Sequence, residues 1–229
     1  MTKRILIVVT GHDTLGETGR KTGYYLEEAA VPYMAFTEAG YDVDIASPGG
    51  GPVAADPGGL KAGEVAGSPS AGFMTDATAQ AKVDTTLKLG ELDPADYDAV
   101  WVAGGHGAMW DLPDDADLSR LLGTMFDEGK VVSAVCHGPA GLVGAHRADG
   151  KSIFADRRAT GFLRSEEVAV KLADVVPFII EDRLRALGAE FVGSRAWADN
   201  AVRDRNLITG QNPQSTASAA RLVLEALAE

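Results

Sequence analysis

Val131-Val132-Ser133-Ala134-Val135-Cys136-His137-Gly138-Pro139-Ala140 is the stretch on which the fold turns. Residues 130–135 are mostly β-branched or small and apolar, the composition of a short buried strand. Cys136 follows with no intervening loop, and a short helix is predicted over 138–144. Pro139 suits its first turn, because the missing N–H would have had no partner there. Ala134 and Gly138, two positions to either side of Cys136, are small enough for the tight strand-to-helix turn of a nucleophile elbow, with sulfur in place of hydroxyl. A thiol at a helix N-terminus meets partial positive charge and free N–H groups, so ionisation of Cys136 is expected. His137 beside it offers a base or a cation. A free cysteine is more often a buried small hydrophobe; its place at a strand's C-terminal end, where open α/β sheets hold their ligands, favours a catalytic role.

Working outward, residues 3–10 form another β-branched run, and 24–39 read as a helix stopped by Gly40, with Pro32 predicting a kink or break. Residues 41–46 and 98–103 read as further strands, the latter running into Gly104-Gly105-His106-Gly107. Helices are predicted over 75–89, 114–129, 176–187 and 214–227, and a last strand over 206–209. Residues 47–72 are dense in Gly, Pro, Ala and Ser and read as a long irregular loop, a feature often functional inside a compact domain. Short apolar runs alternating with helices are the signature of a parallel sheet covered on both faces. The expectation is one α/β domain over 1–229, flavodoxin-like and doubly wound, with a mostly parallel sheet sandwiched by helices.

Composition narrows the function classes. The chain has 33 acidic against 21 basic residues, a formal charge of −12, which repels nucleic-acid phosphates and anionic lipid. Its apolar run at 5–9 is too short for a signal-peptide core or a membrane span, and no later stretch is long enough to cross a bilayer, so a soluble protein is expected. The single cysteine makes no internal disulfide and fits a reducing cytoplasm. Neither nucleic acid nor membrane is expected as a partner. The four histidines show no metal-ligand spacing with Cys136, and no metal or cofactor is expected.

The glycines of 104–107 let backbone N–H groups point at a developing oxyanion, a role expected of Gly105 and His106 together with the His137 N–H. No Gly-Lys-Ser/Thr follows, which excludes a phosphate loop. Trp110 and Trp197 are candidates for pocket walls, although large aromatics are more often core, and Asn212 reads as a capping residue.

Ala134-Val135-Cys136-His137-Gly138-Pro139 resembles the nucleophile motif of the ThiJ/PfpI superfamily, which shares the class I glutamine-amidotransferase-like fold. Lys21-Thr22-Gly23 leading to Glu28 and Pro32, Ala103-Gly104-Gly105-His106-Gly107, Thr160-Gly161-Phe162 and Thr209-Gly210-Gln211-Asn212-Pro213 agree with it. The combination is similar to the branch containing heat-shock-type chaperones and glutathione-independent glyoxalases. That resemblance implies a Cys-His-acid constellation in which the acid, counted from Thr160-Gly161-Phe162, falls on Glu167, with Glu166 one register away. It implies that Glu28 approaches the sulfur as a proton shuttle, with Glu27 its neighbour in sequence. It further implies a homodimer and conversion of small 2-oxoaldehydes such as methylglyoxal to 2-hydroxy acids through a Cys136 hemithioacetal. A cysteine peptidase or amidase and a holdase chaperone are the alternatives. No histidine follows His146, which removes the late His-x-Glu pair of a true glutamine amidotransferase.

Overall fold

A computed structural model describes residues 2–65 and 67–229. In chain order the elements are β1 (Arg4–Val8), α1 (Leu26–Glu38), β2 (Asp42–Ser47), α2 (Pro57–Gly63), α3 (Ala71–Thr75), α4 (Ala77–Asp84), β3 (Leu87–Lys88), β4 (Ala99–Val102), α5 (Ala108–Asp111), α6 (Ala116–Asp127) and β5 (Val131–Val135). The second half adds β6 (Arg158–Ala159), α7 (Arg164–Ala169), α8 (Ile180–Ala186), β7 (Glu190–Phe191), β8 (Ala201–Asp204), β9 (Leu207–Gly210) and α9 (Thr216–Ala228).

The main sheet has seven strands in the order β3-β2-β1-β4-β5-β9-β8. Its pairings are parallel except that of β8 with β9. Its strands are buried on both faces because alternate side chains enter two different cores. Leu6, Val8, Val100, Val102, Val132 and Ala134 join the α6 side, while Ile5, Ile7, Trp101 and Val135 pack with residues of α1 and α9. The chain winds from β1 out to β3 and then returns to β4 on the other side of β1. That reversal opens a crevice at the C-terminal ends of β1 and β4, beside β5, whose last residue, Val135, precedes Cys136.

Several expectations are corrected. Residues 47–72 are not irregular throughout: Asp56 caps α2 by accepting the Gly58 N–H at 2.8 Å, and α3 begins at Ala71; position 66 lies outside the described residues. The helix predicted over 75–89 stops at Asp84, and Leu87–Lys88 instead adds an edge strand to β2. Two paired residues carry no periodicity, so this strand, like β6 and β7, leaves no pattern to read. The segment after Cys136 is a 3-10 helix of five residues, Gly138–Leu142, rather than an α-helix to 144. Residues 176–179 stay outside α8, with Pro177 among them. Pro32 does not break α1, which runs through it.

Candidate active site

The turn at Cys136 is held in a conformation that L-residues rarely adopt, with φ of 60°. It is pinned from both sides: its N–H donates to the Gly210 carbonyl and its carbonyl accepts from the Phe162 N–H, both at 2.9 Å. A side chain at Gly138 would put its Cβ 2.2 Å from the Val102 carbonyl, so only glycine lets the turn nest against β4. The sulfur therefore stands at the sheet's edge, 4% exposed, on the wall of a cavity of about 570 Å³.

Two side chains meet that sulfur, His137 and Glu28. His137 Nδ1 lies 3.3 Å away, and its Nε2 is 2.8 Å from Glu167 Oε2. His106 Nε2 reaches the other carboxylate oxygen, Oε1, at 2.9 Å. Burial alone would raise the Glu167 carboxyl, but hydrogen bonds from His106 and His137 outweigh it and bring it down to about 2. An ionised carboxylate only accepts, so both imidazoles donate through Nε2, and His137 Nδ1 is left as an acceptor facing the thiol. Burial, reinforced by His106, pushes His137 down to about 4, which keeps it neutral at physiological pH.

Glu28 approaches from α1. One oxygen, Oε2, accepts the Gly104 N–H at 2.7 Å; the other, Oε1, is buried without a nitrogen or oxygen partner, and the Cys136 thiol is the group in reach of the carboxyl. Burial pushes Glu28 up to about 8, against the lowering effect of the bonds to Cys136 and Gly104. The helix geometry that delivers Glu28 depends on Pro32. Proline has no N–H, so the Glu28 carbonyl four residues earlier loses its helical partner; it accepts the Trp101 indole N–H at 2.8 Å instead. The proline that reads as a kink thus ties α1 to β4 at the residue that meets the sulfur. Gly104 is equally constrained: a Cβ there would lie 2.6 Å from both Glu28 Oε2 and the His137 nitrogen.

The expected ionisation of Cys136 is overturned. Burial, followed by the charge and hydrogen bond of Glu28, drives the thiol well above its ordinary value. The opposing contribution comes from the backbone N–H groups of His137 and Gly105. Five residues of 3-10 helix supply too small a dipole to offset a nearly dry site beside a carboxylate.

The sequence leaves Glu166 and Glu167 undecided, and both are buried, at 0% and 2% exposed. Glu167 meets the histidines. Glu166 points the other way, accepting from the Leu163 and Trp197 N–H groups and from the amides of Gln211 and Asn212. Asn212 therefore braces Glu166, and its side chain caps no helix. Trp110 stacks on His12 with ring centroids 5.4 Å apart, away from the sulfur, whereas Trp197 lines the cavity. Sequence reasoning missed Arg20 and Tyr25 as cavity walls; an exposed cation and a helix-entry tyrosine carry no local mark of a site. It also missed that a ring nitrogen each of His106 and His137 and a carboxylate oxygen of Glu167 cluster within 4.8 Å, the one such trio among the described residues that could hold a metal ion.

A model of the DJ-1/PfpI family matches residues 21–226. The chain belongs to the DJ-1/PfpI family. Within it, the chain is 29% identical over 233 residues to a protein named Glyoxalase 3 from Candida albicans, covering 99% of this chain and 98% of that one. The crystal structure of glyoxalase III from the same yeast superposes with a TM-score of 0.89 at 27% identity, over 98% and 97% of the two chains. The Rapid Encystment Protein of 24 kDa from Francisella tularensis superposes at 0.93 with 33% identity, over 99% of both. The doubly wound, mostly parallel architecture is thus that of DJ-1/PfpI proteins.

Proposed function

We propose that this protein is a glutathione-independent glyoxalase that converts small 2-oxoaldehydes to 2-hydroxy acids, with Cys136 as nucleophile. The observation that carries it is two separate proton carriers at one sulfur, the His137–Glu167 pair on one side and Glu28 with its free Oε1 on the other. An amide hydrolase needs one base for its thiol; an isomerisation across two carbons needs a second group that takes a proton from one carbon and returns it to the next. The names of the Candida relatives point the same way.

The steps close without an outside oxidant. Sγ attacks the aldehyde carbon as the thiol proton passes to His137 Nδ1, and the imidazolium is stabilised by Glu167. Glu28, protonated at rest, gives its proton to the new hemithioacetal oxygen, whose charge also meets the N–H groups of Gly105 and His137. Glu28 then removes the aldehyde C–H while His137 protonates the neighbouring keto oxygen, giving an enediol. Glu28 returns its proton to the former keto carbon and takes the hydroxyl proton from the first carbon, leaving a thioester. Water cleaves the thioester to the 2-hydroxy acid and restores the thiol. The aldehyde carbon is oxidised, the keto carbon is reduced, and both proton carriers end as they began.

His106 fixes Glu167 and walls the substrate end of the cavity. The working unit is a homodimer of one α/β domain per chain, acting in the cytoplasm; in the described residues, no helix is long and apolar enough to cross a membrane. Purified protein with methylglyoxal and no added thiol should accumulate lactate, and Cys136→Ala should reduce the rate to background. Lactate formation by that variant at the wild-type rate refutes the assignment.

A further inference from the structure

Trp197 combines three features that its packing alone does not require. Its backbone lies in the left-handed region at φ of 63°, where a bulky side chain is an outlier. It is 42% exposed, yet it lines the cavity that holds Cys136. Its backbone N–H donates at 2.7 Å to Glu166, a carboxylate buried completely and braced by Gln211 and Asn212. A strained residue persists where the surroundings over-determine it, and such residues cluster at ligand sites. Here a buried acid fixes the backbone of a residue whose half-exposed indole lines a cavity.

The indole continues an aromatic row. Phe162 lies over His137 with centroids 4.3 Å apart, and Trp197 meets Phe162 edge-on at 5.7 Å. Val170 and Leu172 add apolar lining to the same cavity, which Arg20, Lys21 and Asp56 also line. The methyl group of methylglyoxal would fill little of a space of about 570 Å³.

We infer that Trp197, with Phe162, Val170 and Leu172, forms a subsite for an aromatic substituent on the keto carbon, so that aryl 2-oxoaldehydes are the preferred substrates. Glu166 is the positioning residue for this wall. The inference rests on the glyoxalase reading for its chemistry, but its binding surface can be tested separately.

In the first arm, kcat/KM for phenylglyoxal and methylglyoxal is measured on the wild type, Trp197→Ala and Trp197→Phe. The aryl substrate should lead by at least ~10-fold in the wild type, as expected for an aromatic group leaving water for a fitted apolar wall. That ratio should fall toward unity in Trp197→Ala and largely return in Trp197→Phe. A ratio unaltered by Trp197→Ala, or near one in the wild type, overturns the subsite while leaving the glyoxalase assignment intact. In the second arm, calorimetry follows mandelate and lactate binding to Cys136→Ala, with and without Trp197→Ala. Tighter mandelate binding that the second substitution abolishes supports the subsite even if neither aldehyde is turned over; mandelate binding indifferent to Trp197 overturns it. A change of oligomeric state on Trp197→Ala with the substrate ratio unchanged assigns this face to contact between copies, and also overturns it.

Discussion

Glu28 and His137 hold their unusual protonation states for the same reason: neither sees water. Burial holds Glu28 at about 8 and His137 at about 4, so between those values the first is protonated and the second is a free base. Activity that needs both forms rises as pH climbs through about 4 and falls as it climbs through about 8. A kcat/KM profile for methylglyoxal should show those two limbs. Glu28→Gln should cut kcat by ~10²-fold or more, the usual range for loss of a general acid–base group, and the alkaline limb near 8 should vanish from the residual activity. A variant that keeps this limb would assign it to a different group. His137→Ala should remove the acid limb in the same assay.

At the scale of elements, α1 and β4 are joined through a single buried hydrogen bond from the Trp101 indole to the Glu28 carbonyl, needed because Pro32 supplies no N–H. Trp101→Phe keeps most of the apolar volume but orphans that carbonyl, a loss of about 1–3 kcal/mol for an unsatisfied buried acceptor. With its anchor gone, Glu28 should sit less accurately at the sulfur. The expected result is a fall in kcat with little change in KM, together with a lower melting temperature. If kcat is retained while the melting temperature drops, the bond serves the fold and not the placement of Glu28. Pro32 also shows how an element can mislead in sequence: the rule that proline breaks a helix concerns a lost bond and a crowded carbonyl, and here β4 replaces the bond.

For the whole molecule, the same buried acid sets stability against pH. Glu28 has an ordinary value of 4.5 and sits at about 8 in the fold, so the unfolded chain releases this proton first and stability declines with rising pH between the two. His137 works in the opposite sense but only below its ordinary value of 6.5, as the unfolded chain takes up its proton first on acidification. Between pH 6.5 and about 8 Glu28 therefore acts without that opposition. One proton linked over that window amounts to about 2 kcal/mol, or roughly 5 °C of melting temperature for a chain of this size. Glu28→Gln, whose amide oxygen can still accept the Gly104 N–H, should melt higher than the wild type at pH 8, with the gap closing toward pH 6.5. Parallel melting curves across this range would show that Glu28 is not held protonated by the fold.

The doubly wound class, most of the central strands and the position of Cys136 at a strand end were legible because each rests on local pattern: apolar period, a Gly-Pro helix start, small residues flanking the turn. His137 was nameable from its place beside the thiol, Glu28 and Glu167 only through family likeness, and a choice between Glu166 and Glu167 was beyond any local rule. Adjacent helical residues point about 100° apart, so which glutamate meets His137 depends on how α7 docks, with Gln211 and Asn212 claiming the other. Protonation was likewise a tertiary outcome. Sequence places a thiol beside a histidine and a helix start; the folded chain adds burial and a carboxyl carried in from more than a hundred residues away, and desolvation then outweighs the dipole.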